Sequence, residues 1–201
     1  MDIARPNLAT DIRPDIAMME ASPAMPSILV VMGVSGCGKS TIGTQLAIQL
    51  HWEFEDGDWF HPARNIDKMQ AGIPLTDEDR APWLIAIADF IDQARLSGTH
   101  AVVACSALKR RYRTVIIGNR PDVRLIYLKG SMELIARRIA ARHEHFMPQS
   151  LLRSQFEALE EPGPEERPIV MSIEPRPREI VSEILEMLKA QTREPDAAPS
   201  R

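Results

Sequence analysis

The sequence predicts a three-layer α/β fold, with five parallel strands in one sheet and helices on both faces. Three observations carry that expectation. Short apolar runs rich in β-branched residues alternate with longer helical stretches along the chain. Residues Gly33-Val34-Ser35-Gly36-Cys37-Gly38-Lys39-Ser40 fit G-x-x-x-x-G-K-[ST], a phosphate-binding loop. The polar motifs that follow fall just after apolar runs, at the carboxyl ends of strands, where open α/β sheets bind ligands.

The elements follow in chain order. Met1 to Pro26 reads as a disordered extension, with Pro6, Pro14, Pro23 and Pro26 and charges of both signs. It lacks the basic start and apolar segment of a secretory signal, and Asp2, Asp11, Asp15 and Glu20 are unlike a mitochondrial leader. Ile28 to Met32 is the first strand, and a helix over 40–50 follows the loop with Ile42, Leu46 and Leu50 on one face. Trp52 to Asp56 is the second strand, followed by a helix over 62–71 with Pro62 in its first turn. A helix over about 79–97 ends at Ser97-Gly98. Ala101 to Cys105 is the third strand and 109–117 the next helix. Arg124 to Leu128 is the fourth strand, and Ser131 caps a helix over 132–143. A helix over 148–160 opens at Pro148, Ile169 to Ile173 is the fifth strand, and 177–190 the last helix. Gln191 to Arg201 reads as a fraying tail. The folded domain is therefore expected over 27–190.

A chain of 201 residues with 44% apolar and 26% charged content fits one ordinary globular domain. A net charge of −4 argues against a general nucleic-acid binder. No apolar run approaches the ~20 residues a membrane helix needs. Two cysteines, Cys37 and Cys105, give neither a disulfide framework nor zinc spacing. They read as small buried residues of a protein in a reducing cytoplasm.

The chemistry gathers at the strand ends. In the loop, glycines let backbone N–H groups turn toward phosphate oxygens, and the helix start adds its positive dipole end. Lys39 reaches the β- and γ-phosphates of ATP, and Ser40 is placed to hold Mg²⁺. Asp56 and Asp58 alternate at the end of the second strand, so both are expected toward the loop. One carboxylate suits Mg²⁺; the other suits a substrate hydroxyl that attacks the γ-phosphate. The polar stretch from His61 through Arg64, Asn65 and Lys68 to Asp79-Arg80 reads equally as a pocket wall or a solvated surface. Lys109, Arg110, Arg111 and Arg113 crowd a helix start, a poor place for cations on dipole grounds. An anionic substrate would account for some of them, and a solvated face for at least Arg110 or Arg113. Arg137, Arg138 and Arg142 form a second basic cluster, and an arginine at a mobile segment there is placed to close over ATP. His143 and His145 lack the third ligand a metal site would need.

Beyond the generic loop, longer motifs are specific. They are Asp56-Gly57-Asp58-x-x-His61-Pro62 with Asn65-x-x-Lys68-Met69, Asp79-Arg80-x-Pro82-Trp83-Leu84, and Cys105-Ser106-Ala107-Leu108-Lys109. Tyr127-Leu128-Lys129-Gly130, His145-Phe146-Met147 and Ser154-Gln155-Phe156-x-x-Leu159-Glu160-x-Pro162 complete the set. From about Ser27 to Lys189 the chain resembles the bacterial gluconokinases of the shikimate-kinase-like group. The resemblance implies transfer of phosphate from ATP to the 6-hydroxyl of D-gluconate, giving 6-phosphogluconate for the pentose phosphate or Entner–Doudoroff route. It also implies a P-loop kinase fold with a lid and a homodimer. Gly33 to Thr41 would bind the triphosphate, Asp56 would associate with Mg²⁺ and Asp58 would take the substrate hydroxyl. Arg80 would meet the substrate carboxylate, Lys109 and Arg142 would serve pocket and lid, and His61 and Lys68 would line the acceptor side. Glu144 departs from the glycine many members carry before the His-Phe pair, which bears on the lid and not on the reaction class. A kinase for another small hydroxy acid is the nearest alternative. A guanine-nucleotide switch would ordinarily show N-K-x-D, which this sequence lacks.

Overall fold

The computed structural model describes residues 25–141 and 149–193. All five residues of β1 (Ile28–Met32) are buried. A strand with no polar face must lie inside a sheet covered on both sides. The order is β2–β3–β1–β4–β5, built from β2 (Glu53–Asp56), β3 (Ala101–Ala104), β4 (Val123–Lys129) and β5 (Ile169–Ser172). Every pairing is parallel, with Val30 between Val103 and Leu125.

Strand alternation divides β1 between two cores. Leu29 and Val31 join Ile42 and Leu46 of α1 (Lys39–Leu50), Ile135 of α5 (Met132–Ala140), Leu152 of α6 (Gln149–Ala158) and Ile184 of α7 (Pro177–Arg193). Ile28, Val30 and Met32 join Trp83, Ile87 and Ile91 of α3 (Asp77–Ser97) and Tyr112 and Ile116 of α4 (Arg110–Ile116). Helix α2 (Ala63–Gln70) lies between β2 and α3 in sequence. Among the described residues no helix is long and apolar enough to cross a membrane.

Several helix ends differ from expectation, among them those of α3, α5, α6 (which ends at Ala158, not 160) and α7. Helix α3 begins at Asp77, because Thr76 Oγ1 accepts from Asp79 N–H while the Asp79 carboxylate accepts from Thr76 N–H. Helix α5 stops at Ala140, with Ala141 as its C-cap. Helix α7 runs on to Arg193, beyond the expected 190. The expected extension lies outside the described residues except for Met25 and Pro26, as does the tail beyond Arg193.

The basic run at α4 is not a solvated face throughout. Arg110 is, with its side chain 62% exposed beside Glu165. Arg113 is 1% exposed. Its Nε and Nη2 donate to Glu166 at 2.6 and 2.9 Å, and its Nη1 donates to the carbonyls of Ala107, Leu108 and Glu160. Helical spacing explains the difference, since Arg113 shares the inward face with Ile116 and Tyr112. Arg113 thereby holds the turn after β3, where Ala107 takes a left-handed φ of 43°. Burial raises the Glu166 carboxyl, but Arg113, with the Gly163 N–H and Arg110, more than offsets this and leaves it below the ordinary 4.5. Arg113→Met strands a carboxylate and three carbonyls, so denaturant unfolding should show a loss of about 3–5 kcal/mol. The Glu166 contribution is complete above pH 4.5 and lost as pH falls through the lower folded value. The variant's acid limb should therefore flatten, and a loss under ~1 kcal/mol would deny Arg113 this role.

Candidate active site

The phosphate loop joins β1 to α1. Gly33, Gly36 and Gly38 all have positive φ, at 145°, 84° and 104°. At Gly36 a Cβ would also lie 2.7 Å from Ile139 of α5, so both conformation and space require glycine. Val34 and Cys37 turn their side chains into the core and leave their backbone at the loop. Cys37 and Cys105 are free, buried thiols, as expected. Lys39 opens α1 and lays its Nζ 3.3 Å from Val34 O, back over its own loop. Ser35, Gly36, Gly38 and Lys39 are half-buried, and Ser40 and Thr41 exposed.

Ser40 Oγ donates to Asp56 Oδ2 at 2.7 Å, joining the loop to the end of β2. Asp56 Oδ1 accepts from Asp58 N–H at 3.1 Å. The strand stops at Asp56, and Gly57–Phe60 forms a 3₁₀ turn. Strand alternation is therefore not what places Asp58; the Asp56 carboxylate caps the turn that carries it. The two aspartates and Lys39 act in opposite directions on Cys105, just after β3. Burial pushes that thiol up to about 12, with Lys39 lowering it and Asp58 and Asp56 raising it.

A polar wall lies beyond this turn. His61 stacks on Trp83 with ring centroids 4.3 Å apart, and Trp83 Nε1 donates to Gly57 O at 2.6 Å. Asn65 is wholly buried and its Nδ2 donates to Asp79 O at 2.8 Å. That carbonyl can only accept, so Nδ2 is also the group 3.4 Å from His61 Nδ1. The ring then accepts at Nδ1 and carries its proton at Nε2. Asn65 Oδ1 is a buried side-chain atom without a partner among the described residues.

Burial pushes the His61 imidazolium below its ordinary 6.5; Asp58 pulls it back up and Arg80 pushes it further down. His61 should therefore be a neutral Nε2–H donor at pH 6.5. The unfolded chain takes up the proton first, so stability falls as pH drops below that value. An NMR titration of the His61 ring should give a midpoint under 6.5, and a higher midpoint would refute its neutrality.

A cluster of cations surrounds Tyr112. The Arg80, Lys109 and Arg111 charges lie 6.0, 5.6 and 5.6 Å from its ring centroid. Asp77 accepts from Tyr112 Oη, Lys109 Nζ and Arg111 Nη2, and the tyrosine hydroxyl first, then Lys109 and Arg111, hold its carboxyl down to about 2. The dipole conflict at α4 is thus met by the chain's own carboxylates. Arg80 Nη1 donates to the carbonyls of Leu75 and Thr76. Lys68 is bound to Asp79 at 2.7 Å.

The structure therefore brings Lys39, Ser40, Asp56 and Asp58 together, and sets His61, Arg80 and Lys109 along the neighbouring wall. Lys68 reaches that wall through Asp79. Arg142, expected at the lid, lies outside the described residues, as do His143, Glu144 and His145. Sequence reasoning gave Gln155 no role, yet Ser35 N–H donates to its Oε1 at 2.7 Å and its Nε2 donates to Ser35 Oγ at 2.9 Å.

Residues 35–189 match the shikimate kinase family. The gluconokinase of Gluconobacter oxydans is 44% identical over 166 residues, covering 83% of this chain and 93% of its own. The thermoresistant gluconokinase of Escherichia coli is 42% identical over 163 residues, covering 81% of this chain and 93% of its own. A gluconokinase structure from Sinorhizobium meliloti superposes with a TM-score of 0.75 at 43% identity, covering 84% of this chain and 94% of that one. Matches of this length cover most of the folded domain, and the chain belongs to the gluconokinases of the shikimate kinase family.

Proposed function

We propose that this protein transfers the γ-phosphoryl group of ATP to the 6-hydroxyl of D-gluconate, releasing ADP and 6-phospho-D-gluconate. The observation that carries the reading is the Ser40–Asp56 contact of 2.7 Å, with Asp58 two residues further on. It sets a phosphate-binding loop directly against a pair of carboxylates. Loop amides and Lys39 cradle the phosphates, and Asp58 takes the proton of the attacking hydroxyl as the new O–P bond forms and the bond to ADP breaks. His61 donates from Nε2 to the acceptor. Arg80 pairs with the gluconate carboxylate, and Lys109 adds positive charge on the same wall.

Ser40 and Asp56 are the residues that would hold Mg²⁺. Hydroxyl and carboxylate oxygens suit a hard cation that takes few protein ligands and shares phosphate oxygens. When bound, the ion neutralises charge on the β- and γ-phosphate oxygens. The reading includes one kinase domain over 27–190 acting as a homodimer. The free, buried thiols fit a reducing cytoplasm.

A coupled ADP-release assay with ATP and Mg²⁺ tests the acceptor, using gluconate, shikimate and nucleoside monophosphates side by side. Gluconate should give the highest kcat/KM. A higher value for shikimate would make this a hydroxy-acid kinase of another specificity, and ADP release independent of any acceptor would remove the kinase reading.

A further inference from the structure

The contact between Gln155 and Ser35 joins residues 120 apart in sequence and engages both the backbone N–H and the hydroxyl oxygen of the serine. Its two bonds, at 2.7 and 2.9 Å, are shorter than two that the loop's own N–H groups make. Gly33 N–H reaches Ser106 O at 3.4 Å and Cys37 N–H reaches Val34 O at 3.3 Å. The carboxamide is held on a helix and not on a loop. Leu152, one turn earlier on α6, is 3% exposed in the core, and Phe156 packs against the same cluster. At Gly36 the loop is also met by Ile135 and Ile139 of α5.

A phosphate loop works by presenting N–H groups already aimed at the anion, so the orientation of each peptide matters. The Ser35 peptide leads directly into Gly36, Cys37, Gly38 and Lys39. We propose that Gln155 is a positioning residue of the phosphate loop: its carboxamide fixes the Ser35 peptide and thereby aims the following amides at the nucleotide. Gln155 does not itself touch phosphate in this arrangement. Its oxygen takes up the Ser35 N–H, and its nitrogen fixes the Ser35 hydroxyl. The proposal rests on the kinase reading of the loop.

The test measures ADP binding by calorimetry and steady-state kinetics for both substrates. Gln155→Leu removes two hydrogen bonds, so the Kd for ADP and the KM for ATP should rise about tenfold. The KM for gluconate should change less than twofold, and Tm should stay within a few degrees. Ser35→Ala removes one of the two bonds and should raise the Kd for ADP about threefold. Adding Gln155→Leu to Ser35→Ala should then cost less than Gln155→Leu costs alone, because the pair acts through shared contacts.

Gln155→Glu keeps an acceptor for the Ser35 N–H and adds a negative charge beside the loop. It should weaken ADP binding at low salt, with the gap narrowing as ionic strength rises. This variant carries the test if Gln155→Leu does not fold. ADP affinity within twofold of wild type in the folded variants overturns the proposal. A raised gluconate KM with unchanged ADP affinity also overturns it, by moving Gln155 to the acceptor side. A wild-type protein that binds no ADP would instead sink the kinase reading itself.

Discussion

Lys39→Ala should lower kcat/KM for ATP by at least about 10²–10³-fold, the scale of losing one preorganised donor in an active site. The fold should survive the change. Lys39 belongs to neither hydrophobic core, and its Nζ meets Val34 O across the loop. It also stands in the first turn of α1, where a cation opposes the helix dipole, so its removal relieves a small unfavourable term. Arg138 is the other cation acting on Cys37, inside the loop. It is no substitute, because its Nη2 is already donated to Ile173 O. Steady-state kinetics beside a thermal melt decide the matter. Activity within tenfold of wild type, in a variant with unchanged Tm, would remove the phosphate-loop assignment.

Asp58→Asn should lower kcat by about 10²–10⁴-fold, as expected when a general base is lost, while ATP affinity changes little. Asn has the shape of Asp, and the contact that builds this turn comes from Asp56 to the Asp58 backbone, which the substitution leaves in place. The side chain of Asp58 is exposed beside the loop, and its charge acts on both His61 and Cys105. The two aspartates therefore separate kinetically. Asp56→Asn should act on Mg²⁺ dependence through Ser40, and Asp58→Asn on turnover at saturating ATP. If Asp58→Asn weakens ATP binding and leaves saturated kcat intact, Asp58 belongs with the metal ligands.

Much of this site is local in origin, and to that extent it was legible. The loop lies between an apolar β-branched run and an amphipathic helix, so its position and glycine spacing could be read from about twenty neighbouring residues. The two carboxylates after β2 were legible as a pair, although the reason for their proximity was not. Strand alternation was expected to pair them, whereas the strand ends at Asp56 and the Asp56 carboxylate caps a 3₁₀ turn that carries Asp58. The capping box at Thr76 and Asp79 was also present in the sequence, as a threonine followed three residues later by an aspartate, and would have moved the start of α3 to its observed place.

Arg113 and Gln155 mark the other kind of information. In sequence Arg113 is one of four cations in a five-residue window, and only its helical phase with Ile116 hints that it turns inward. Its partners, Glu160 and Glu166, arrive from 47 and 53 residues away. Gln155 has an ordinary place on α6 until the fold sets it against Ser35.

The sequence by itself determined the strands, the helices, the phosphate loop and the chemical type of the site. These follow from hydrophobic period, glycine conformation and capping, which act over one or two turns of chain. The tertiary structure alone decided the strand order, which cations are spent on internal carboxylates, and which side chain steadies the loop. Those outcomes depend on hydrogen bonds and desolvation between distant segments, and such partners exist only once the sheet has brought them together.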